Sequence, residues 1–401
     1  MGDSQKPAIN SQLPADLISG RQTWVEVDLR ALRDNYKALE SLLAPGAISK
    51  TQPSIPHPRI IPVVKANAYG HGAVAVASAL ADAGATILAV GVVEEGAILR
   101  RSGISQDIIV LGTSWAGQES VAIENRLILA VDAPEGVHRL EVAAKKLAAS
   151  ATVHVKVDTG MGRLGVHWNA MGRLLKAIRT TKYVSMKGVF SHLSSADETD
   201  DSYTLEQMNR FEHSLSTVRE SNLDPGEIHL ANSAGLLYHE GIRRWSARTG
   251  ISLYGYSPDP QRSPVKLRPI LSLKTKIGPI RNLKKGDPVG YNRRFVASEQ
   301  AQIATLPVGY ADGFNHRLSG RGRVIIKDRW SRIAGAVSMD MTAVDLTNMP
   351  NVREGDEVIL LGESSNCRMT AEEWADILGT IPYEILCGIA SRVPRFYLNN
   401  N

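Results

Sequence analysis

The apolar run Ile60-Ile61-Pro62-Val63-Val64 ends abruptly in Lys65, and Ala66-Asn67-Ala68-Tyr69-Gly70-His71-Gly72 follows. A primary amine at a strand's C-terminal end can form a Schiff base with an aldehyde or act as a general base. Partial desolvation there would lower its pKa and free the amine. A lone lysine snorkelling from a strand end has the same local signature; the polar groups of Asn67, Tyr69 and His71 and the close approach allowed by Gly70 and Gly72 favour chemistry. A second cluster is Asp158-Thr159-Gly160-Met161-Gly162-Arg163-Leu164-Gly165. Its glycines match the dinucleotide fingerprint, but no acidic residue follows before Asp197 to hold a ribose, so a nicotinamide dinucleotide is rejected. Arg163 within it offers a planar fork suited to a carboxylate. His192 closes Phe190-Ser191-His192; no second histidine stands at metal-ligand spacing, so no metal is expected. Ser233, in His229-Leu230-Ala231-Asn232-Ser233, reads as a helix N-cap. Arg248-Thr249-Gly250-Ile251 supplies another cation beside a glycine.

These residues need elements to hold them. Apolar strand candidates are Ile60–Val64, Ile87–Val93, Ile108–Leu111, Leu127–Val131, Val153–Val157, Val184–Phe190, Ile228–Ala231 and Trp245–Arg248, with helical patterns between them. Such alternation predicts a (β/α)8 barrel, with a doubly wound sheet as the alternative. Each candidate residue then falls at a strand's C-terminal end, where barrel sites lie. After about Ser257 the pattern turns strand-like, with one helix predicted over Thr370–Leu378. The expected domains are a flexible tail over residues 1–20, a barrel over 21–262 and a mostly β domain over 263–401. Ala44–Arg59, with its prolines, reads as an exposed loop.

A chain of 401 residues exceeds one ordinary core, and 43% hydrophobic with 22% charged residues is a globular composition. The net charge of +5 is spread along the chain, which argues against a nucleic-acid partner. The N-terminus has no signal-peptide core and no stretch suits a membrane span, so a cytoplasmic, membrane-free protein is expected. Two cysteines, Cys367 and Cys387, fit a reducing compartment.

The decapeptide Val63–Gly72 resembles the cofactor-lysine signature of the alanine racemase family. Further segments agree in order from about Trp24 to Tyr397: Asp158–Gly165, His229–Ser233, Arg248-Thr249-Gly250-Ile251-Ser252-Leu253-Tyr254-Gly255, Gly290–Phe295, Gly309–Gly313, Ser338-Met339-Asp340 and Ile389–Pro394. The resemblance implies a pyridoxal 5'-phosphate enzyme that interconverts L- and D-alanine by two-base proton transfer, supplying D-alanine for peptidoglycan. It implies Lys65 and Tyr291 as the catalytic bases, with Arg163, Met339 and Tyr310 around the substrate. It implies Tyr69, His192, Asn232, Ser233, Arg248, Gly250, Ile251 and Ser391 as cofactor neighbours, His192 linking Arg248 to the catalytic tyrosine. Lys156 matches a position carboxylated in some members. Arg248 replaces the acid that many pyridoxal enzymes place at the ring nitrogen; a donor-only guanidinium leaves that nitrogen unprotonated and the electron sink weaker. The family pairs two chains, so Tyr291, Tyr310 and Met339 would enter the other copy's site in a homodimer.

One position departs from the pattern. Well-known members carry tyrosine where this chain has Ser391, which widens the pocket and opens the reading to a serine or broad-specificity racemase. A non-catalytic pyridoxal-phosphate carrier is the other alternative, but such proteins lack the β domain. The cysteine-bearing signature of barrel-type decarboxylases is absent from the sequence.

Overall fold

The computed structural model describes residues 8–10, 20–43, 57–113 and 115–399. Residues 44–56 of the expected loop and most of the expected N-terminal tail therefore lie outside the described residues. Chain contacts divide into two units: one of residues 31–68 and 73–268, the other of residues 1–30, 69–72 and 269–401.

The first unit is a barrel of parallel strands: β1 (Ile60–Pro62), β2 (Ile87–Val90), β3 (Asp107–Thr113), β4 (Ile128–Val131), β5 (Ala151–Asp158), β6 (Val184–Phe190), β7 (Glu227–His229) and β8 (Ala247–Thr249). Strands β2 to β7 form one continuous parallel ladder. The ring closes through β8 pairing with β1 and through single bridges Val63–Ala89 and His229–Ser246. The expected strands thus appear in the expected order, and the barrel, not the doubly wound sheet, is the fold. β2 and β4 are buried along their whole length, as strands walled by helices on one side and barrel interior on the other must be. That is why they read as unbroken apolar runs.

The second unit is mostly antiparallel. Its main sheet runs Ala8–Asn10, Arg395–Leu398, Trp24–Asp28, Leu271–Lys276, Glu357–Glu363, Arg323–Ile326, Arg329–Arg332. Trp24–Asp28, grouped with the barrel on sequence order, lies instead in this sheet, parallel to Arg395–Leu398 and antiparallel to Leu271–Lys276. Its alternating burial demands a sheet partner, but the partner lies far along the chain, beyond the reach of local pattern. Ala8–Asn10, inside the expected tail, also forms a strand there. A smaller sheet joins Ile280–Leu283, Ala301–Leu306 and Thr342–Asp345. The predicted helix forms over Ala371–Leu378, capped reciprocally by Thr370 and Glu373. A second helix, Pro382–Cys387, begins on a proline at its first turn. Among the described residues no helix is long and apolar enough to cross a membrane, no His/Cys/Asp/Glu group could hold a metal, and both cysteines are free.

Candidate active site

Lys65 leaves β1 into a left-handed turn. Ala66, Asn67, Ala68 and Tyr69 have φ of 51°, 53°, 53° and 53°. Non-glycine residues adopt this conformation at a cost of about 1–2 kcal/mol each, so surrounding bonds must enforce it. The Ala68 N–H donates to Val64 O at 2.9 Å, the Ala73 N–H to Asn67 Oδ1 at 2.9 Å, and the Ala66 N–H to Glu95 Oε1 at 2.5 Å. Lys65 is exposed in the single chain, contrary to the expected desolvation, because it stands one residue beyond Val64, the last buried position of the run.

Arg248 lies on β8, level with Ile61 of the adjacent β1. It is 3% exposed, and its bonds go to neutral acceptors: Nη1 to His229 Nδ1 (3.0 Å) and His229 O (2.8 Å), Nη2 to Ser191 O (2.6 Å), Leu230 O (3.0 Å) and His192 Nδ1 (3.1 Å). Its Nε–H makes no bond among the described residues. Burial lowers the guanidinium pKa to about 9, which leaves it charged at neutral pH. A guanidinium only donates, so Nδ1 of both His192 and His229 must accept. The His229 proton then sits on Nε2 and points to His154 Nδ1, 2.9 Å away. Burial, then the nearby Arg248, hold His192, His229 and His154 well below the usual imidazole range, and His154 falls to about 3.

Lys156, on β5, is buried; its amine donates to Leu111 O at 2.8 Å. Burial, with Arg248 and Arg163 nearby, lowers its pKa to about 8, against the opposing pull of Asp132. The Arg163 loop is shaped by Asp158, whose Oδ1 accepts the Gly160 and Gly162 N–H groups at 2.9 and 3.1 Å. Gly165, at φ +121°, passes so close to Asp158 N that a Cβ would sit 2.6 Å from it. Arg163 itself is exposed.

The helix after β7, Ser233–Tyr238, is capped by Asn232 and not by Ser233 as expected: Asn232 Oδ1 accepts the Gly235 N–H at 2.9 Å. Ser233 Oγ faces the loop after β8 and accepts the Gly250 N–H at 3.1 Å. The buried hydroxyls of Thr249, at the end of β8, and Ser252, in that loop, have no partner among the described residues.

The barrel unit therefore gathers Lys65, Lys156, Arg163, His192, Asn232, Ser233, Arg248, Gly250 and Ile251 at the C-terminal ends of its strands. Tyr69, Tyr291, Tyr310, Met339 and Ser391 belong to the other unit. There Tyr69 packs with its ring centroid 6.0 Å from that of Tyr383. Tyr291 does not open a strand; it starts a tight turn at Tyr291–Arg293, between Pro288–Val289 and Phe295–Val296, and is 72% exposed. Tyr310 and Met339 are exposed on touching loops, the Tyr310 N–H bonding Ser338 O at 3.0 Å and the Ala311 N–H bonding Met339 O at 3.1 Å. Buried Asp312 ties these loops to the segment bearing Ser391: its Oδ2 accepts the Gly309 N–H at 3.0 Å and its Oδ1 pairs with Arg21 and with Arg392.

Sequence reading passed over His154, His229, Glu95 and Asp312. His154 alternates with Lys156 on one strand, which was a usable signal; the other partnerships span too much chain to be seen.

The family model "Alanine racemase, N-terminal domain" matches residues 27–258, and "Alanine racemase, C-terminal domain" matches residues 270–397. The chain belongs to the alanine racemase family. An alanine racemase of Symbiobacterium thermophilum is 43% identical over 95% of this chain and 98% of its own. The crystal structure of alanine racemase from Bacillus anthracis with bound L-Ala-P superposes with a TM-score of 0.87 at 37% identity, covering 95% of this chain and 96% of the other. A histidine racemase from Leuconostoc mesenteroides is similar at a TM-score of 0.85 and 26% identity, covering 97% and 100%. Alanine racemases are isomerases that interconvert L- and D-alanine with pyridoxal 5'-phosphate.

The donor set suits that cofactor. A phosphate dianion calls for positive charge and hydroxyl or N–H donors. Arg248, Arg163, Lys156 and Lys65 all act on buried His192, which puts positive charge in its neighbourhood. The partnerless hydroxyls of Thr249 and Ser252, beside Ser233, supply neutral donors. Arg248 keeps an Nε–H that no described residue accepts and that could bond a bound group.

Proposed function

We propose that this chain racemises alanine through Lys65 and Tyr291 as opposed bases, the tyrosine coming from a second copy of the chain in a homodimer. Ser233, Tyr69, Gly250 and Ile251 would hold the cofactor phosphate, and Lys65 would carry its aldehyde carbon. Bound there, pyridoxal 5'-phosphate supplies the electron sink that acidifies the substrate Cα–H. Arg163 and the Met339 backbone bind the substrate carboxylate, and Tyr310 narrows the approach. In the L to D direction unprotonated Tyr291 takes a proton from the L face while the protonated Lys65 ammonium returns one to the opposite face; for D-alanine the neutral Lys65 amine is the base and the Tyr291 phenol the donor. Arg248 donates hydrogen bonds but, with a pKa of about 9, is too weak an acid to transfer a proton to a far less basic ring nitrogen. That restrains side reactions that need a long-lived carbanion. The D-alanine serves peptidoglycan synthesis in the cytoplasm.

The observation that supports this reading most is Lys65 three residues past the end of β1 while Arg248 lies in β8, the strand paired with β1. Purified protein supplied with pyridoxal 5'-phosphate is expected to form D-alanine from L-alanine, and Lys65→Ala to form none. Turnover by Lys65→Ala at the unaltered rate contradicts the assignment. A second reading, acceptance of serine beside alanine, is favoured by the small, exposed Ser391.

A further inference from the structure

We infer that Glu95 is the positioning residue of Lys65, a role that rests on Lys65 being the cofactor lysine. Glu95 stands in the first turn of the helix Val93–Arg101 that follows β2. Its carboxylate faces backbone donors from two strand ends. Oε1 accepts the Ala66 N–H at 2.5 Å, from the residue directly after Lys65. Oε2 accepts the Gly91 N–H at 2.8 Å and the Val92 N–H at 3.4 Å. An anion that accepts several backbone N–H groups is held firmly, and such charge-assisted bonds are about twice as strong as neutral ones.

The geometry explains why the anchor matters at this place. The backbone turns left-handed at Ala66 and stays so through Tyr69, and no glycine within Ala66–Tyr69 relieves it. Asn67 holds the far end of that turn through the Ala73 N–H. Glu95 holds the near end, one peptide from the lysine. Gly91 shows how closely the parts fit: a Cβ built on it would lie 3.3 Å from Glu95 Oε2, 3.5 Å from Lys65 Cβ and 3.7 Å from Lys65 Cδ. The lysine stem and the carboxylate therefore crowd the same bare backbone. Loss of the carboxylate would release the Ala66 N–H, let the turn relax toward ordinary φ, and swing the Lys65 stem from its place over Gly91.

Glu95→Gln keeps the side chain's shape but replaces one acceptor oxygen with an amide donor, which cannot accept. Glu95→Ala removes both acceptors. Full-length wild type and both variants would be titrated with pyridoxal 5'-phosphate and trapped with borohydride, and labelling of the Lys65 peptide would be read by mass spectrometry beside the thermal midpoint. Half-saturation is expected to rise about tenfold in Glu95→Gln and further in Glu95→Ala, an equilibrium effect on a single site. Saturated Glu95→Gln should retain a thermal midpoint near wild type, which a purely structural role would not allow. Wild-type half-saturation in Glu95→Gln overturns the proposal, as does weakened trapping with a matching collapse of the thermal midpoint. Wild type labelled elsewhere than Lys65 overturns the underlying reading and this proposal with it.

Discussion

Arg248 donates through Nη1 to Nδ1 of His229 at 3.0 Å, and that bond sets the proton positions of a buried array. His229 must then donate from Nε2 to His154, while Arg248 Nη2 makes the same demand on His192. A lysine at position 248 would keep the charge but place its donors on one nitrogen, unable to reach both imidazoles and the carbonyls of Ser191, His229 and Leu230. Arg248→Lys is therefore expected to lower the thermal midpoint by several degrees and alanine turnover by about two orders of magnitude. Unchanged turnover with an unchanged midpoint would show that the array does not depend on the guanidinium fork.

Lys156 carries the clearest pH dependence. Its pKa is depressed by burial, with Arg248 and Arg163 nearby, to about 8. The neutral amine is the form that adds carbon dioxide, so its fraction rises as pH increases through that value. For the unmodified lysine, the penalty of burying the ammonium is full below about 8 and disappears as pH rises toward the ordinary lysine value of about 10.4. If a carbamate forms here, it should increase between about pH 7 and 9, on either side of that depressed pKa. The check is the carbamate signal by NMR with isotope-labelled bicarbonate, using Lys156→Ala as the blank. A signal that persists in Lys156→Ala, or never appears in wild type, removes the modification from the account.

Tyr291→Phe tests the assignment of faces. Without the phenol, exchange of the α-proton of L-alanine with deuterated solvent should slow far more than exchange of D-alanine, because Lys65 still serves the other face. Each rate is followed by NMR from the pure enantiomer. Equal slowing on both sides would contradict the two-base arrangement as drawn.

Ser391→Tyr tests the width of the pocket. Filling the exposed serine position with a phenol ring should reduce serine turnover relative to alanine by about tenfold, the order expected when a pocket discriminates one small group. The measurement is the ratio of kcat/KM for the two substrates in wild type and variant. A ratio that does not move would place the control of substrate size elsewhere.

Much of the barrel was readable before any coordinates. Its strands are short apolar runs spaced by helical patterns, and Lys65 and Arg248 stand at or near the points where such runs stop. These are local properties of chain order and hydrophobic period. Tertiary structure decided what local period cannot carry. Trp24–Asp28 joined the second unit's sheet because its hydrogen-bonding edges are met by Arg395–Leu398 and Leu271–Lys276. Asn232, not Ser233, became the helix cap, because the Ser233 hydroxyl was drawn to the Gly250 N–H across the neighbouring loop. The left-handed passage through Ala66–Tyr69 could not be inferred from alanines that individually disfavour it; Glu95, from outside the turn, bonds the Ala66 N–H, and Asn67, within it, bonds the Ala73 N–H. The histidine tautomers likewise follow from which donors surround them, and only the folded barrel brings Arg248, His229 and His154 into line.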